Sequence, residues 1–547
     1  MILAAALLSA ACTVNAEDPG DEPDAACDGE LATGLSRWAD AGFSGSIAIG
    51  GADGFSCLAS FGMADEETPN TEATVFAIGS VSKAFTAAAV YDLADTGDLS
   101  LEDRAGALLP GLTGPAAEVT VAQLLLHTGG LSGSHGADHQ PLSREDAIAA
   151  MSALESAAEP GTAYQYSNAG YALLALIVDE ATGSYRDYLA EQILTVDGER
   201  IGGFWDGEPA APGPRAVGYT DAGPSSEDGS FAGPHWALAG NGDLAMTAAE
   251  LATWTRAFFA GEVISPEAVE SLRANGFDLG VEGATEIAGW GSLDDTFFGA
   301  PVIMASGGGG DIGHEAVVAY LPDTGTAVTA TTNTADVTAE VLMDAIGPAL
   351  ISGEPIPVPE GHAEVDPEEL QAREGAYRLD SGGSFTVTAE DEGLAVALEG
   401  ADAAAAMFAS PDYTAEDVAA HEADVLSLLE GDSAAGQEER AAAEDAVGTI
   451  ASIELAGSAV DELELRTYVR FDGADGTALA WYALDDQGEI AGVSMGTEPP
   501  VSTLVPTGAG EYRQEDLSGA GGGVSVVFTE DSMTVTGPGG TVEARRE

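Results

Sequence analysis

Positive charge is what this chain most nearly lacks. Its 547 residues hold 17 Lys and Arg against 92 Asp and Glu, a net charge of −75. A nucleic-acid partner needs clustered cations to meet its phosphates, so that class is excluded. The same shortage excludes docking by charge onto an anionic membrane surface. Lysine is the extreme case: Lys83 stands alone, and the other sixteen basic residues are arginines. Cysteine is also scarce. Cys12, Cys27 and Cys57 are too few for a disulfide-built scaffold. Beyond the first dozen residues no apolar run approaches the length needed to cross a bilayer.

Apolar residues are not lacking. They make up 45% of the chain, ample for packed cores, and this length predicts two or more domains. Residues 1–12 form a short apolar run ending in small residues, and they resemble a secretory signal segment. Cys12 stands where a bacterial lipoprotein signal places its lipidated cysteine, although Ser9 occupies the place where leucine is preferred. The acidic stretch to residue 28 reads as a solvated tether. The expectation is an exported protein, periplasmic or on the cell surface, with a candidate lipid anchor at Cys12. Cys27 and Cys57 are then left as either a disulfide or two thiols.

Residues 44–49 and 56–61 read as a strand pair around a Gly-Ala-Asp-Gly turn. Residues 81–95 are predicted helical, with Gly97 beyond their end. Residues 169–181 form a second apolar helix, closed by Thr182-Gly183. Residues 247–260 form a third, with Thr247 as its N-cap and Glu250 three residues on. Residues 316–320 and 327–331 flank Pro322-Asp323-Thr324-Gly325, a hairpin loop, and 335–350 are helical again. Together these predict an α+β domain over residues 29–352, an antiparallel sheet covered by helices. Residues 353–366, rich in Pro, Gly and acid, read as a linker. Residues 367–547 hold short strands at 375–379, 384–388, 393–398, 453–455, 462–471, 479–484, 490–495, 524–528 and 532–535. The tail is therefore predicted mainly β, a small barrel or sandwich. An Ala/Glu/Asp-rich insert at 401–446 reads as helical or loosely ordered.

The lone lysine lies in Gly79-Ser80-Val81-Ser82-Lys83. Ser80 and Lys83 are three apart at the start of a predicted helix, which puts them on one face. The helix start supplies backbone N–H groups beside Ser80. A serine hydroxyl becomes a nucleophile when a neighbouring base takes its proton. A lysine serves as that base once its ammonium is destabilised. A capping serine with an exposed lysine is the plainer reading. It is weakened because the chain avoids lysine everywhere else. A second element is Tyr164-Gln165-Tyr166-Ser167-Asn168. Tyr166 and Asn168 stand on a short loop entering a helix, where both can project into one cleft. A phenol can relay a proton in acyl transfer, and an amide can hold a substrate carbonyl.

These residues resemble the serine β-lactamase and penicillin-binding-protein family, in its class C and D-Ala-D-Ala carboxypeptidase/esterase branch. The likeness runs over residues 31–352. It extends to Leu124-Leu125-Leu126-His127-Thr128-Gly129-Gly130, Pro160-Gly161, Ala239-Gly240-Asn241-Gly242-Asp243-Leu244 and Tyr320-Leu321-Pro322-Asp323. The resemblance implies a β-lactamase-like fold and covalent catalysis on an ester, amide or D-amino-acid peptide. It implies Ser80 as nucleophile, Lys83 as its base or base partner, Tyr166 as general acid and base, and Asn168 as a substrate contact. The oxyanion hole would combine the Ser80 N–H with one N–H of the third motif. No metal or cofactor is implied, and the partner is a small-molecule or peptide substrate.

The third motif departs from the family pattern of Lys or His, any residue, then Gly. Here the stretch is Ala305-Ser306-Gly307-Gly308-Gly309-Gly310-Asp311-Ile312-Gly313-His314. No cation precedes the glycines. Ser306, Gly307 or Gly308 holds that place according to register, so Ser306, Gly308, Gly309 and Gly310 are the candidate substrate contacts. The missing cation would normally meet a substrate carboxylate, which leaves a neutral ester or amide as the better fit.

Two rivals remain on sequence grounds. One is a surface lipoprotein of the same fold that binds or builds without turnover, its third motif having decayed. The other is a metal-dependent hydrolase using His127, His135 and His139, whose spacing is not that of a zinc helix. Gly492-Val493-Ser494-Met495-Gly496 fits a nucleophile elbow, but Thr497-Glu498-Pro499-Pro500 follows where a helix is required. Gly308, Gly310 and Gly313 fit a dinucleotide fingerprint, but a strand is predicted next.

Carboxylates packed at this density repel one another across a screening length of about 10 Å in 0.1 M salt and about 3 Å in 1 M salt. Repulsion of that kind destabilises a compact chain in dilute salt. Thermal melts should therefore rise with NaCl into the molar range. A chain this acidic and this poor in lysine suggests a salt-rich habitat, with a generally acidic extracellular protein as the plainer alternative, and a midpoint that stays level or falls would refute the first.

Overall fold

The Gly51-Ala52-Asp53-Gly54 turn folds the chain back on itself, with Gly54 at φ 107°, a backbone that favours glycine. Strand β1 (Gly45–Gly51) thereby pairs with β2 (Gly54–Phe61). The computed structural model describes residues 27–547 apart from 137–139, 221–222, 226–234, 282, 310–312, 335–336, 360–362, 364, 391–392, 409–412, 432, 462–463, 475, 485–487, 489, 496–498, 500, 516–522 and 538–539. The expected signal segment, its Cys12 and most of the acidic tether lie outside the described residues, as does Gly310. The chain divides into two units, residues 1–358 and 359–547.

In the first unit eight antiparallel strands make one sheet. Beyond β1 and β2 they are β3 (Gly276–Asp278), β4 (Ala284–Ile287), β5 (Trp290–Leu293), β6 (Val302–Gly309), β7 (His314–Leu321) and β8 (Thr326–Thr332). Their order is β3-β4-β5-β6-β7-β8-β1-β2. The first strands join the last through β8, as Gly45 to Gly50 pair with Thr332 to Ala327. Helix α1 (Gly29–Asp40) opens the unit, with Asp28 capping its first N–H groups. The indole of Trp38 donates to the Pro357 carbonyl, so residues on either side of the sheet-forming stretch meet.

Helix α2 (Ser82–Thr96) is buried on nearly every side and ends at Gly97 in the left-handed conformation. Its Ala84, Ala87, Ala88 and Ala89 carry little bulk and sit in the same core as α3 (Asn168–Thr182). Phe85 stacks at 3.7 Å on Trp254 of α4 (Ala248–Phe259). Thr247 and Glu250 form a reciprocal cap at the start of α4, as the sequence spacing predicts. Helix α5 (Ala339–Ser352), capped by Thr338, begins four residues later than the periodicity suggests.

The second unit contains a closed barrel of eight strands: Gly375–Leu379, Ser384–Ala389, Leu394–Glu399, Ser502–Gly508, Glu511–Gln514, Ser525–Phe528, Ser532–Gly537 and Gly540–Arg546. Tyr377, Phe385, Tyr512, Phe528 and Met533 fill one packed core there. Between its third and fourth strands the chain inserts helices Ala401–Met407, Ala415–Glu430 and Ala434–Val447. A four-stranded sheet, Ile450–Asp461 to Ile490–Met495, follows them. The insert is thus helical. The serine of the apparent nucleophile elbow lies within the strand Ile490–Met495.

Cys27 and Cys57 form a disulfide that ties the start of the first unit to β2 across a separation of 30 residues. In the chain-entropy account a link of that span stabilises by about 3.6 kcal/mol. Replacing both cysteines with serine should lower the unfolding free energy by roughly that amount. An unchanged denaturation midpoint, with and without reductant, would show that this corner is already frayed.

Candidate active site

Ser80 sits in a single 3-10 turn, Gly79–Val81, that runs directly into α2. The turn is possible because Gly79 adopts φ 47°. It is also forced by crowding: a Cβ on Gly79 would lie 2.3 Å from the Gly308 backbone nitrogen. One turn on, Lys83 is only 3% exposed. Its Nζ donates to Ser80 Oγ at 2.8 Å and to the Asn241 carbonyl at 3.2 Å. The ammonium also lies 4.7 Å from the centre of the Tyr166 ring and 5.9 Å from that of Tyr171. Tyr166 reaches Ser80 from the other side, its hydroxyl donating to Oγ at 2.8 Å. The amine and the phenol thus converge on one serine oxygen. Tyr166 has 51% of its surface exposed. Desolvation at its hydroxyl nevertheless pushes the phenol up to about 12, with the Ser80 hydrogen bond opposing the rise.

His127 explains how Tyr166 is held. It closes the helix Val121–Leu125 with φ 54°. Its carbonyl accepts from the Gln165 N–H at 2.8 Å, and its Nδ1 accepts from the Ser167 N–H at 3.0 Å. The ring stacks on Tyr166 at 4.6 Å. Burial, aided by the charge on Lys83, drives its pKa down to about 3, so the ring is neutral at working pH. His127 clasps the tyrosine loop from both ends of residues 165–167. His135 bonds instead to the Ala237 carbonyl, and His139 lies outside the described residues. Among the described residues no three His, Cys, Asp or Glu side chains gather as a metal site.

Asn241 belongs to a loop fixed by buried polar groups. Thr86 Oγ1 donates to the Gly240 carbonyl at 2.9 Å, and the Gly240 N–H donates to Asp243 Oδ1 at 3.3 Å. Arg186 faces Asp243 at 3.8 Å, an ion pair too long for a hydrogen bond. Burial raises Asp243 to about 6, opposed by Arg186. The sequence marks this segment but not its role, because a main-chain carbonyl leaves no side-chain signature.

Asn168 opens α3 behind its cap Ser167, and its Oδ1 is shielded from solvent without a hydrogen-bond partner. Strand β6 passes directly over the nucleophile turn. A Cβ on Gly307 would fall 2.1 Å from the Ser80 nitrogen and 2.5 Å from that of Val81. Gly308 and Gly309 pair with Glu315 and His314 of β7. His314 is buried against Phe76 and Trp205, and desolvation lowers it to about 4. It supplies no positive charge. Near Ser306 stands Glu340, whose carboxyl burial raises while the Ser306 hydroxyl opposes the rise. Acid, not base, therefore flanks this end of the cleft. Glu286 is a further carboxyl that sequence reasoning passed over. It lies on the same face of β4 as Ala284.

The Beta-lactamase family profile matches residues 36–351. A penicillin-binding protein of Bacillus subtilis (strain 168) is 35% identical over 146 residues, 25% of this chain and 32% of that protein. Penicillin-binding protein 4 of Amycolatopsis lactamdurans is 36% identical over 134 residues, 23% of this chain and 35% of that protein. The chain thus spans about a third of the length of these curated relatives. The octameric penicillin-binding protein homologue from Pyrococcus abyssi superposes with a TM-score of 0.51 at 18% identity, over 93% of this chain and 98% of that one. At such identity the likeness is one of fold.

The close approach of β6 to Ser80 makes Gly307 a sensitive position. Gly307→Ala should push the strand from the turn and cut the rate of Ser80 acylation by about a hundredfold or more, the scale of losing one oxyanion donor. The check is the rate of active-site labelling beside the circular dichroism spectrum. A folded variant that labels at the wild-type rate would contradict it.

Proposed function

The chain belongs to the β-lactamase family, whose members are serine hydrolases, and from that premise we propose that it is an exported hydrolase working through a Ser80 acyl-enzyme. The observation that carries this reading is the meeting of Lys83 Nζ and Tyr166 OH on Ser80 Oγ, each at 2.8 Å. With Lys83 as the neutral amine, the Ser80 proton passes to it, or to Tyr166 working with it, as Oγ attacks a substrate carbonyl. Backbone N–H groups of Ser80 and β6 receive the oxyanion. Tyr166 returns a proton to the leaving group as the acyl-enzyme forms. Water, deprotonated by the same pair, then releases the acid.

The preferred substrate is a neutral ester or amide, with D-amino-acid peptides as the family alternative. Support comes from a third motif in which no cation precedes the glycines, from neutral buried His314, and from Glu340 beside Ser306. A substrate carboxylate would meet repulsion there. Asn168 is assigned to the substrate carbonyl side. Export is supported by the disulfide, which persists in oxidising compartments.

Ser80→Ala should abolish labelling by a fluorophosphonate probe and lower p-nitrophenyl acetate hydrolysis at least about a thousandfold. Equal labelling of the variant and the wild type would end the nucleophile assignment. Nitrocefin turnover faster than ester turnover would overturn the preference for uncharged substrates.

A further inference from the structure

We propose that Glu286 is the counter-charge of the catalytic amine: a positioning residue, buried beside Tyr164, whose charge fixes the pH at which Lys83 can take the Ser80 proton. The proposal rests on the reading of Ser80 and Lys83 given above. Glu286 is 8% exposed on β4, and its cross-strand neighbours Phe277 and Gly291 do not titrate. Its Oε2 accepts from the Tyr164 hydroxyl at 3.4 Å. The Tyr164 ring meets the His127 ring edge-on at 5.7 Å, and His127 stacks on Tyr166. The carboxyl therefore connects through two rings, Tyr164 and His127, to the Tyr166 that touches Ser80.

The titratable groups that face it are Tyr164 and Tyr166 from the loop before α3, Tyr171 from α3 and Lys83 from α2. The neighbouring helix Pro266–Ala274 carries Glu267, Glu270 and Arg273, none of which perturbs Glu286. Desolvation pushes the Glu286 carboxyl up to about 8, against the opposing pull of the Tyr164 hydrogen bond and the Lys83 charge. It therefore ionises near the pH at which a catalytic amine must shed its proton. Coupling of this kind is reciprocal. If the ammonium favours the carboxylate, the carboxylate favours the ammonium equally. An ionised Glu286 also raises the Tyr166 phenol. A charged Glu286 thus favours the protonated forms of both groups that touch Ser80.

Removing the anion lowers the pKa of the ammonium and of the phenol, so the basic forms appear at lower pH. The second-order rate of fluorophosphonate labelling, followed from about pH 5 to about pH 10 at one fixed salt concentration, reads this without a known substrate. Glu286→Gln should move the acid limb down by about one pH unit or more. Tyr164→Phe keeps the carboxyl but removes the donor that favours its charged form, and should move the limb the same way by less. A purely structural role would lower the plateau and leave the limb in place, and that outcome overturns the proposal. If Glu286→Gln does not fold, an unmoved limb in Tyr164→Phe overturns it alone. A wild type that the probe does not label would instead remove the Ser80 reading, and this inference with it.

Discussion

The first unit is organised around burying one ammonium. A charge taken out of water costs several kcal/mol unless protein groups replace its hydration. Among the groups that do so for Lys83 are a main-chain carbonyl at Asn241, the Ser80 oxygen, and the faces of Tyr166 and Tyr171. Oxygen dipoles and aromatic faces both favour the cation. An amine in direct contact with the Ser80 oxygen can exchange its proton with it. On the proposed reading Glu286, placed beside Tyr164, tunes the amine through its charge.

Much of the surrounding structure is explained by keeping that arrangement in place. Asn241 is useful only if its carbonyl stays aimed at Lys83, and the Thr86, Gly240 and Asp243 contacts hold the loop that carries it. Tyr166 is useful only if its hydroxyl stays on Ser80, and His127 grips the loop on both sides while stacking on the ring. The low pKa of His127 suits this grip, since a neutral ring can accept from the Ser167 N–H and a charged one could not. The outer surface follows a different rule. Its carboxylates are solvated and diffuse, and their effect on the site falls away with screening, while the buried groups interact at short range in a poor dielectric.

Regular elements with local signatures were legible in the sequence. Helices α2, α3 and α4 end or begin at Gly97, Gly183 and Thr247, where glycine and threonine each have a local conformational reason to stand. The pairing of Ser80 with Lys83 was legible because helical spacing fixes it. The meeting with Tyr166 was not a matter of spacing. It is 86 residues away and became visible only through family resemblance. Three barrel strands escaped notice: Ser502–Gly508 and Glu511–Gln514 because Pro506, Gly508, and the run of Arg513 and Gln514 break their alternation, and Gly540–Arg546 because Glu543, Arg545 and Arg546 leave it few apolar residues. Glu286 escaped because a charged residue in a four-residue strand looks like its solvent face, and only the packed sheet reveals which face is which.

The glycine run of β6 separates two roles that a single motif usually combines. Presenting a backbone N–H to a developing oxyanion depends on how closely the strand approaches Ser80, and Gly307 and Gly79 allow that approach because no side chain could fit between them. Recognising a substrate carboxylate depends on a cationic side chain, and here Ser306, Glu340 and a neutral His314 offer none. The first role is met by main chain and survives any loss of charge. The second is met by a side chain and changes with one substitution. An enzyme can therefore keep the electrostatic stabilisation of its transition state while exchanging the class of molecule it accepts. On the proposed reading, the altered third motif bears on which substrate is taken and leaves the main-chain contribution at Ser80 in place.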